Sequence, residues 1–183
     1  MPKSKLQNTN QSQAGFTLVE LLVVTSLTVL LTLAATAIFL TSIITNTKIR
    51  MEQKIKAEGN QALSQIKTLI RNSARVNSSQ CSAGGQTNTS LVIENLDQGT
   101  TTLTLDGNRV ASQSAFLGGA NTTYYLTTDH NNSPSLTFTC TSGANNSFYI
   151  DISLTLQQGT GATSGRETVI ETFNGGVAVR NQL

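Results

Sequence analysis

Gly15-Phe16-Thr17-Leu18-Val19-Glu20-Leu21-Leu22-Val23 opens a long apolar run near the N-terminus. From Leu21 to Thr47 no residue is charged. Leu, Val, Ile, Ala and Phe dominate, Thr and Ser are scattered among them, and neither Pro nor Gly interrupts. A helix over these residues reaches roughly 40 Å at about 1.5 Å per residue, enough to cross a bilayer. The hydroxyls are compatible with that setting, because Ser and Thr bond back to carbonyls of their own helix. Glu20 is the anomaly. A carboxylate inside a membrane helix costs roughly 2.5–3.5 kcal/mol at the centre, and such residues mark function with a partner.

Two ordinary readings leave Glu20 unexplained. Lys3 and Lys5, with Ala35-Thr36-Ala37 downstream, imitate the basic start and small-residue cut of a secretory signal. The apolar run continues past that cut through Ile38-Phe39-Leu40, and an acid stands at its start. A plain membrane anchor has no use for that acid either. The nine residues from Gly15 resemble instead the processing and assembly motif of type IV prepilins and pseudopilins. The resemblance implies that a membrane-bound prepilin peptidase cuts after Gly15 and methylates the new amine on Phe16. It also implies that Glu20, fifth in the mature chain, acts in assembly. Chemistry agrees: the freed amine of Phe16 is a cation in apolar surroundings, and Glu20 can neutralise such an amine on a neighbouring subunit. That pairing would fix axial register, as single polar residues do in coiled coils.

The same resemblance implies a domain order of leader (1–15), transmembrane and assembly helix (16–47), amphipathic stem (48–76) and β-rich head (77–183). Its expected partners are other pilins or pseudopilins, the peptidase and a pilus assembly platform in the cytoplasmic membrane. The expected location is a single pass through that membrane, with a cytoplasmic leader and an external head, and later a pilus, the cell surface or the periplasm. Lys48, Arg50, Lys54 and Lys56 lie just beyond the span and outnumber Lys3 and Lys5, so the positive-inside rule alone does not settle this topology. Members of the family commonly carry a Pro midway along the first half of the helix. Here Ala37 occupies that neighbourhood, which removes a Pro kink and leaves Gly59 as a place for local melting.

Beyond the span, Ile55, Gly59, Ala62, Ile66, Leu69 with Ile70, and Ser73 recur at three- and four-residue steps, the pattern of an amphipathic helix. Glu52 and Lys56 form an i,i+4 pair in the favourable order. One helix is therefore expected from Phe16 to Val76. After Asn77 the period drops to two, with strands expected over Ser90–Leu96, Thr100–Leu105, Arg109–Ser112, Thr122–Thr127, Ser135–Thr141, Phe148–Leu156, Thr168–Phe173 and Val177–Arg180. Asp106-Gly107 suggests a type I′ hairpin, Gly159–Gly165 a loop, and Asn174-Gly175-Gly176 either a second tight turn or a bulge in one long strand. The fold class expected is α+β, a long helix packed on an antiparallel sheet.

The bulk numbers restrict function. Charged residues are 12% and aromatic residues 5% of the chain, and the net charge is +2, which gives no electrostatic footprint for nucleic acid. The charge is unevenly placed. Lys48 to Arg75 holds seven basic and two acidic residues, whereas Val76 to Leu183 holds three basic and seven acidic. A basic stem thus carries a mildly acidic head, either as two solvated surfaces or as surfaces that attract between adjacent subunits. The two cysteines, Cys81 and Cys140, suit one structural disulfide in an exported chain, the alternative being two buried thiols.

No catalytic set is expected. His130 is the only histidine, and no nucleophile or metal motif accompanies it. Asp129, Asn131 and Ser133 alternate like the start of a calcium loop but lack its glycine and terminal glutamate. Asn77, Asn88 and Asn121 begin N-glycosylation sequons of the kind that an Asn/Ser/Thr-rich chain contains by chance. Neither a cofactor nor a small-molecule substrate is indicated. Val177-Ala178-Val179-Arg180-Asn181 and the stem segment Gln65–Arg75 are similar to segments of the minor pilins and pseudopilins that cap or prime filaments. The wide cysteine spacing departs from the major pilins, whose disulfide closes a loop near the C-terminus. A low-abundance filament subunit is the favoured expectation. The alternative is a secreted or anchored protein whose β-rich head binds surfaces on its own.

Overall fold

The computed structural model describes residues 15–115, 121–129, 134–144, 147–159 and 168–180. His130, Asn131, Ser133 and most of the Gly159–Gly165 loop lie outside them. Among the described residues the architecture is α+β: one long helix, α1 (Leu18–Arg71), and nine strands in two antiparallel sheets. The chain divides into two compact units, Met1–Thr45 and Asn46–Leu183.

In the first unit every described side chain of α1 is exposed. Most of its hydroxyls bond back to the helix, as expected from the sequence: Thr25 Oγ1 donates to the Leu22 carbonyl at 3.0 Å, Ser26 Oγ to Val23 at 2.8 Å and Thr36 Oγ1 to Thr32 at 2.7 Å. Hydroxyls so engaged do not add to the cost of an apolar surrounding.

The second unit is built around the rest of α1. Ile55, Gly59, Ala62, Leu63, Ile66 and Ile70 are buried, on the stripe that the helical period predicts. One sheet runs in the order β1 (Arg75–Val76), β3 (Leu91–Glu94), β4 (Thr100–Asp106), β5 (Arg109–Ala115), β6 (Thr122–Tyr125). The other runs β2 (Gln86–Asn88), β7 (Ser135–Ser142), β8 (Ser147–Gln158), β9 (Val169–Arg180). Alternate residues Leu136, Phe138 and Cys140 on β7, and Phe148, Ile150, Ile152, Leu154 and Leu156 on β8, point into a single core with the helix stripe. Fully burying each such aliphatic or aromatic side chain contributes about 1.5–3 kcal/mol.

Three local expectations change. The helix stops at Arg71, short of Val76. Ser73 Oγ donates to the Ile70 carbonyl at 2.7 Å, and the chain turns to pair Arg75 and Val76 with Glu94 and Ile93. Ladder bonds with β3 and the burial of Val76 replace the last helical turn. The β4–β5 hairpin has Gly107 and Asn108 as its two loop residues, with Asp106 paired to Arg109. Only Gly107 has positive φ, at 58°, which is the pattern of type II′ rather than I′. Lastly, Asn174-Gly175-Gly176 is neither a turn nor a bulge. The three residues pair in unbroken register with Ser153, Ile152 and Asp151, so the expected alternative of one long strand holds, over twelve residues and without the bulge.

The glycines show why. A Cβ on Gly175 would collide with the end of Lys67 and approach Leu63 Cδ2 to 3.2 Å, so glycine lets α1 lie close against β9. A Cβ on Gly176 would strike the Tyr149 hydroxyl. Gly59 is the helix-side counterpart. It is buried within α1, and the Phe173 ring fills the space its missing side chain would take. It is a packing slot in an intact helix, not a point of melting.

Candidate functional site

Gly15, Phe16 and Thr17 precede the first turn of α1 without regular structure, and Phe16 is 82% exposed. The peptide bond between Gly15 and Phe16 is thus in irregular backbone, the conformation that a protease requires. Nothing in the fold requires glycine at position 15: a Cβ there would meet no atom within 4 Å. The reason for this residue lies outside the packing of the chain.

Thr17 caps the helix. Its carbonyl accepts from Leu21 N at 3.2 Å, and its hydroxyl Oγ1 accepts from Glu20 N at 3.2 Å. This is half of the capping box Thr-x-x-Glu, and it places Glu20 in the first turn, where the helix dipole favours a negative charge. The role of Thr17 was missed by reasoning from the apolar run alone. Its signal was present, a Thr three residues before a Glu at the start of a hydrophobic segment. Among the described residues no ion pair involves Glu20. Phe16 and Glu20 therefore stand a helical turn apart at the head of an exposed apolar helix, and no described residue pairs with the carboxylate.

The other candidates resolve into structural roles. Cys81 and Cys140 form a disulfide with Cα atoms 4.7 Å apart, joining the segment after the single-turn 3-10 helix Ser78–Gln80 to the middle of β7. Asn77 Oδ1 caps that short helix by accepting from Ser79 N at 3.1 Å, and Asn88 Nδ2 donates to the Gln80 carbonyl at 2.9 Å. Asn77 and Asn88, both sequon asparagines, are thus engaged in holding one loop. Asp129 pairs with Arg109 at 3.5 Å, and Arg109 stacks over the Tyr125 ring, 4.9 Å from its centroid. Tyr125 Oη donates to Asp106 Oδ2 at 2.8 Å, and that bond holds the phenol above its ordinary pKa. No group of three His, Cys, Asp or Glu among the described residues is placed to hold a metal.

On the stem, Lys56 bridges Glu52 of its own helix and Glu171 of β9, the latter at 3.4 Å. The hydrogen bond with Glu52 raises the Lys56 pKa and lowers that of Glu52. A second tie was not readable from the sequence, because its partners are 70 residues apart: Thr128 N donates to Glu58 Oε1 at 3.0 Å.

No curated protein and no solved structure matches the chain. Residues 10–36 match the family described as the prokaryotic N-terminal methylation motif, a stretch that spans Gly15, Phe16, the Thr17 cap, Glu20 and the first half of the apolar run. The match supports a type IV pilin-like protein with pilin-type precursor processing.

Proposed function

We propose that the chain is a structural subunit of the minor pilin or pseudopilin kind. It is cleaved after Gly15, N-methylated on Phe16, held in the cytoplasmic membrane by residues 16–47, and then drawn into a type IV pilus or a type II secretion pseudopilus. The observation that carries this reading is the methylation motif at the head of a wholly exposed apolar helix. A helix segment that is hydrophobic on all sides, with every described side chain exposed, needs lipid or other helices around it. A filament subunit uses both in turn. Gly15 supports the reading, since neither packing nor backbone conformation calls for glycine there.

In this mechanism the leader keeps the Phe16 nitrogen in an amide until cleavage. Cutting releases an amine, which gains a proton and becomes a cation at the mouth of the helix. Glu20 of an adjacent subunit supplies the matching carboxylate. Both charges are costly in apolar surroundings unless paired, so only the correct axial offset between helices removes the penalty. The membrane span and the disulfide-braced head are otherwise passive: one provides the apolar rod, the other the external surface.

Glu20→Ala tests the assignment. Membrane insertion, measured by resistance to alkaline extraction, should be unchanged. The amount of subunit in sheared filaments should fall at least about tenfold, the effect of ~1.4 kcal/mol or more of lost pairing. Normal incorporation of the variant would refute the register role of Glu20.

A further inference from the structure

Of the basic residues where α1 leaves the apolar run, Lys56 is committed to ion pairs and three others are not. Lys48, Arg50 and Lys54 are all exposed, and none forms an ion pair among the described residues. The nearest acid, Glu52, is held by Lys56, which also reaches Glu171. The other acid of this helical stretch, Glu58, accepts from Thr128 N. The three remaining cations span six residue steps, about 9 Å of helix axis. At 100° per residue, Lys48 and Arg50 project from nearly opposite sides of the helix, and Lys54 lies close to the Arg50 side. The three span an arc of about 160°, wider than a single contact stripe, and Lys56 stands on the remaining side, so the basic side chains together form a collar. A stripe would suit a neighbouring protein surface; a collar suits a surrounding medium.

The medium at that position follows from lengths. The apolar run Leu21–Thr47 is roughly 40 Å long as a helix, whereas the hydrocarbon core of a bilayer is about 30 Å thick. Apolarity alone leaves about 10 Å of freedom in depth or tilt. The headgroup layer adds about 5–7 Å on each side, comparable to the height of the collar. Cations on the external side also work against the positive-inside bias, so their presence there calls for a compensating use. We propose that Lys48, Arg50 and Lys54 bind the phosphates of anionic phospholipid headgroups in the outer leaflet of the membrane, and thereby set the depth at which the helix rests before extraction. The proposal builds on the membrane-spanning reading given above.

The test uses the full processed chain reconstituted in phosphatidylcholine vesicles containing phosphatidylglycerol, with spin-labelled lipids of each headgroup as probes. Phosphatidylglycerol should be enriched in the motionally restricted shell around the protein by roughly twofold or more over phosphatidylcholine. High salt should abolish the preference, because exposed charges are screened. The triple variant K48Q/R50Q/K54Q should also abolish it, while R71Q, which removes an exposed charge elsewhere on the helix, should not. The three side chains are exposed and form no ion pair among the described residues, and the disulfide gives an independent check that the variant is folded. Equal restriction of the two lipids by the parent protein, or an unchanged preference in the triple variant, would overturn the proposal. So would a triple variant that keeps its lipid preference but drops out of filaments, which would assign the collar to the acidic head of a neighbouring subunit. A chain that fails to enter the bilayer at all would refute the membrane-spanning reading itself, and the collar with it.

Discussion

Replacing Gly59 by Ala sets two well-separated effects against each other. In an exposed helix interior the change is favourable, by about 0.5–1 kcal/mol, because alanine loses less backbone freedom on folding. Here the new methyl would fall on the Phe173 ring, closer than real Cβ contacts come, and Phe173 is only 8% exposed. The ring must leave its slot or the strand must lift from the helix, and such overpacking costs about 1–3 kcal/mol. Packing wins, giving a net loss of about 0.5–2 kcal/mol. At roughly 2–4 °C per kcal/mol for a unit of this size, the midpoint should fall by about 1–8 °C. Thermal unfolding of the detergent-solubilised chain, followed by tyrosine near-ultraviolet dichroism, reads the shift. In a Phe173→Leu background the same substitution should cost much less or become stabilising, since the slot is then partly empty. Gly176→Ala is the contrasting control: its methyl meets the hydroxyl end of the Tyr149 ring, the far end of a half-exposed side chain that can swing away, so a change within about 0.5 kcal/mol is expected. A higher midpoint for Gly59→Ala in the parent, or an equal loss with Leu at 173, would refute the slot argument.

Two further outcomes follow from the head. Cys81 and Cys140 are separated by 59 residues, so the double change to Ser should lower head stability by up to about 4 kcal/mol in the chain-entropy account, read as a drop in the denaturation midpoint. An unchanged midpoint would show that the bridge does not constrain the unfolded chain. Tyr125 gives a pH signature. Its bond to Asp106 raises the folded phenol above the ordinary value of 10.0. The associated stabilisation is therefore complete below pH 10 and is lost as pH rises through the raised folded value. Tyrosinate absorbance should show one group titrating at lower pH in Asp106→Asn than in the parent; identical titrations would contradict the assignment.

Much of this structure was legible in the sequence, for identifiable reasons. The stripe Ile55, Gly59, Ala62, Ile66 and Ile70 sits at helical spacing, and the interiors of β7 and β8 alternate strictly, so periodicity alone placed them. Periodicity failed where a third element decided the outcome. Arg75 and Val76 continue a helical pattern but are captured by β3, and β2 is three polar residues whose pairing with β7 leaves no apolar signal. Asn174-Gly175-Gly176 carries turn chemistry that the helix overrides, because glycine there serves the close approach of Lys67 and Leu63 to β9. At the site, Phe16 and Glu20 were visible from the acid at the head of an apolar run. The cap by Thr17 was available from Thr-x-x-Glu, whereas the Glu58–Thr128 tie joins segments that no local pattern connects.

The central claim concerns what happens at Gly15-Phe16, and the N-terminus of the protein isolated from its native cells tests it most directly. Mass spectrometry of the N-terminal peptide should find residues 1–15 absent and Phe16 heavier by one methyl group on its amine. A chain that keeps Met1, or one that begins at Ile38 after Ala35-Thr36-Ala37, would contradict the account.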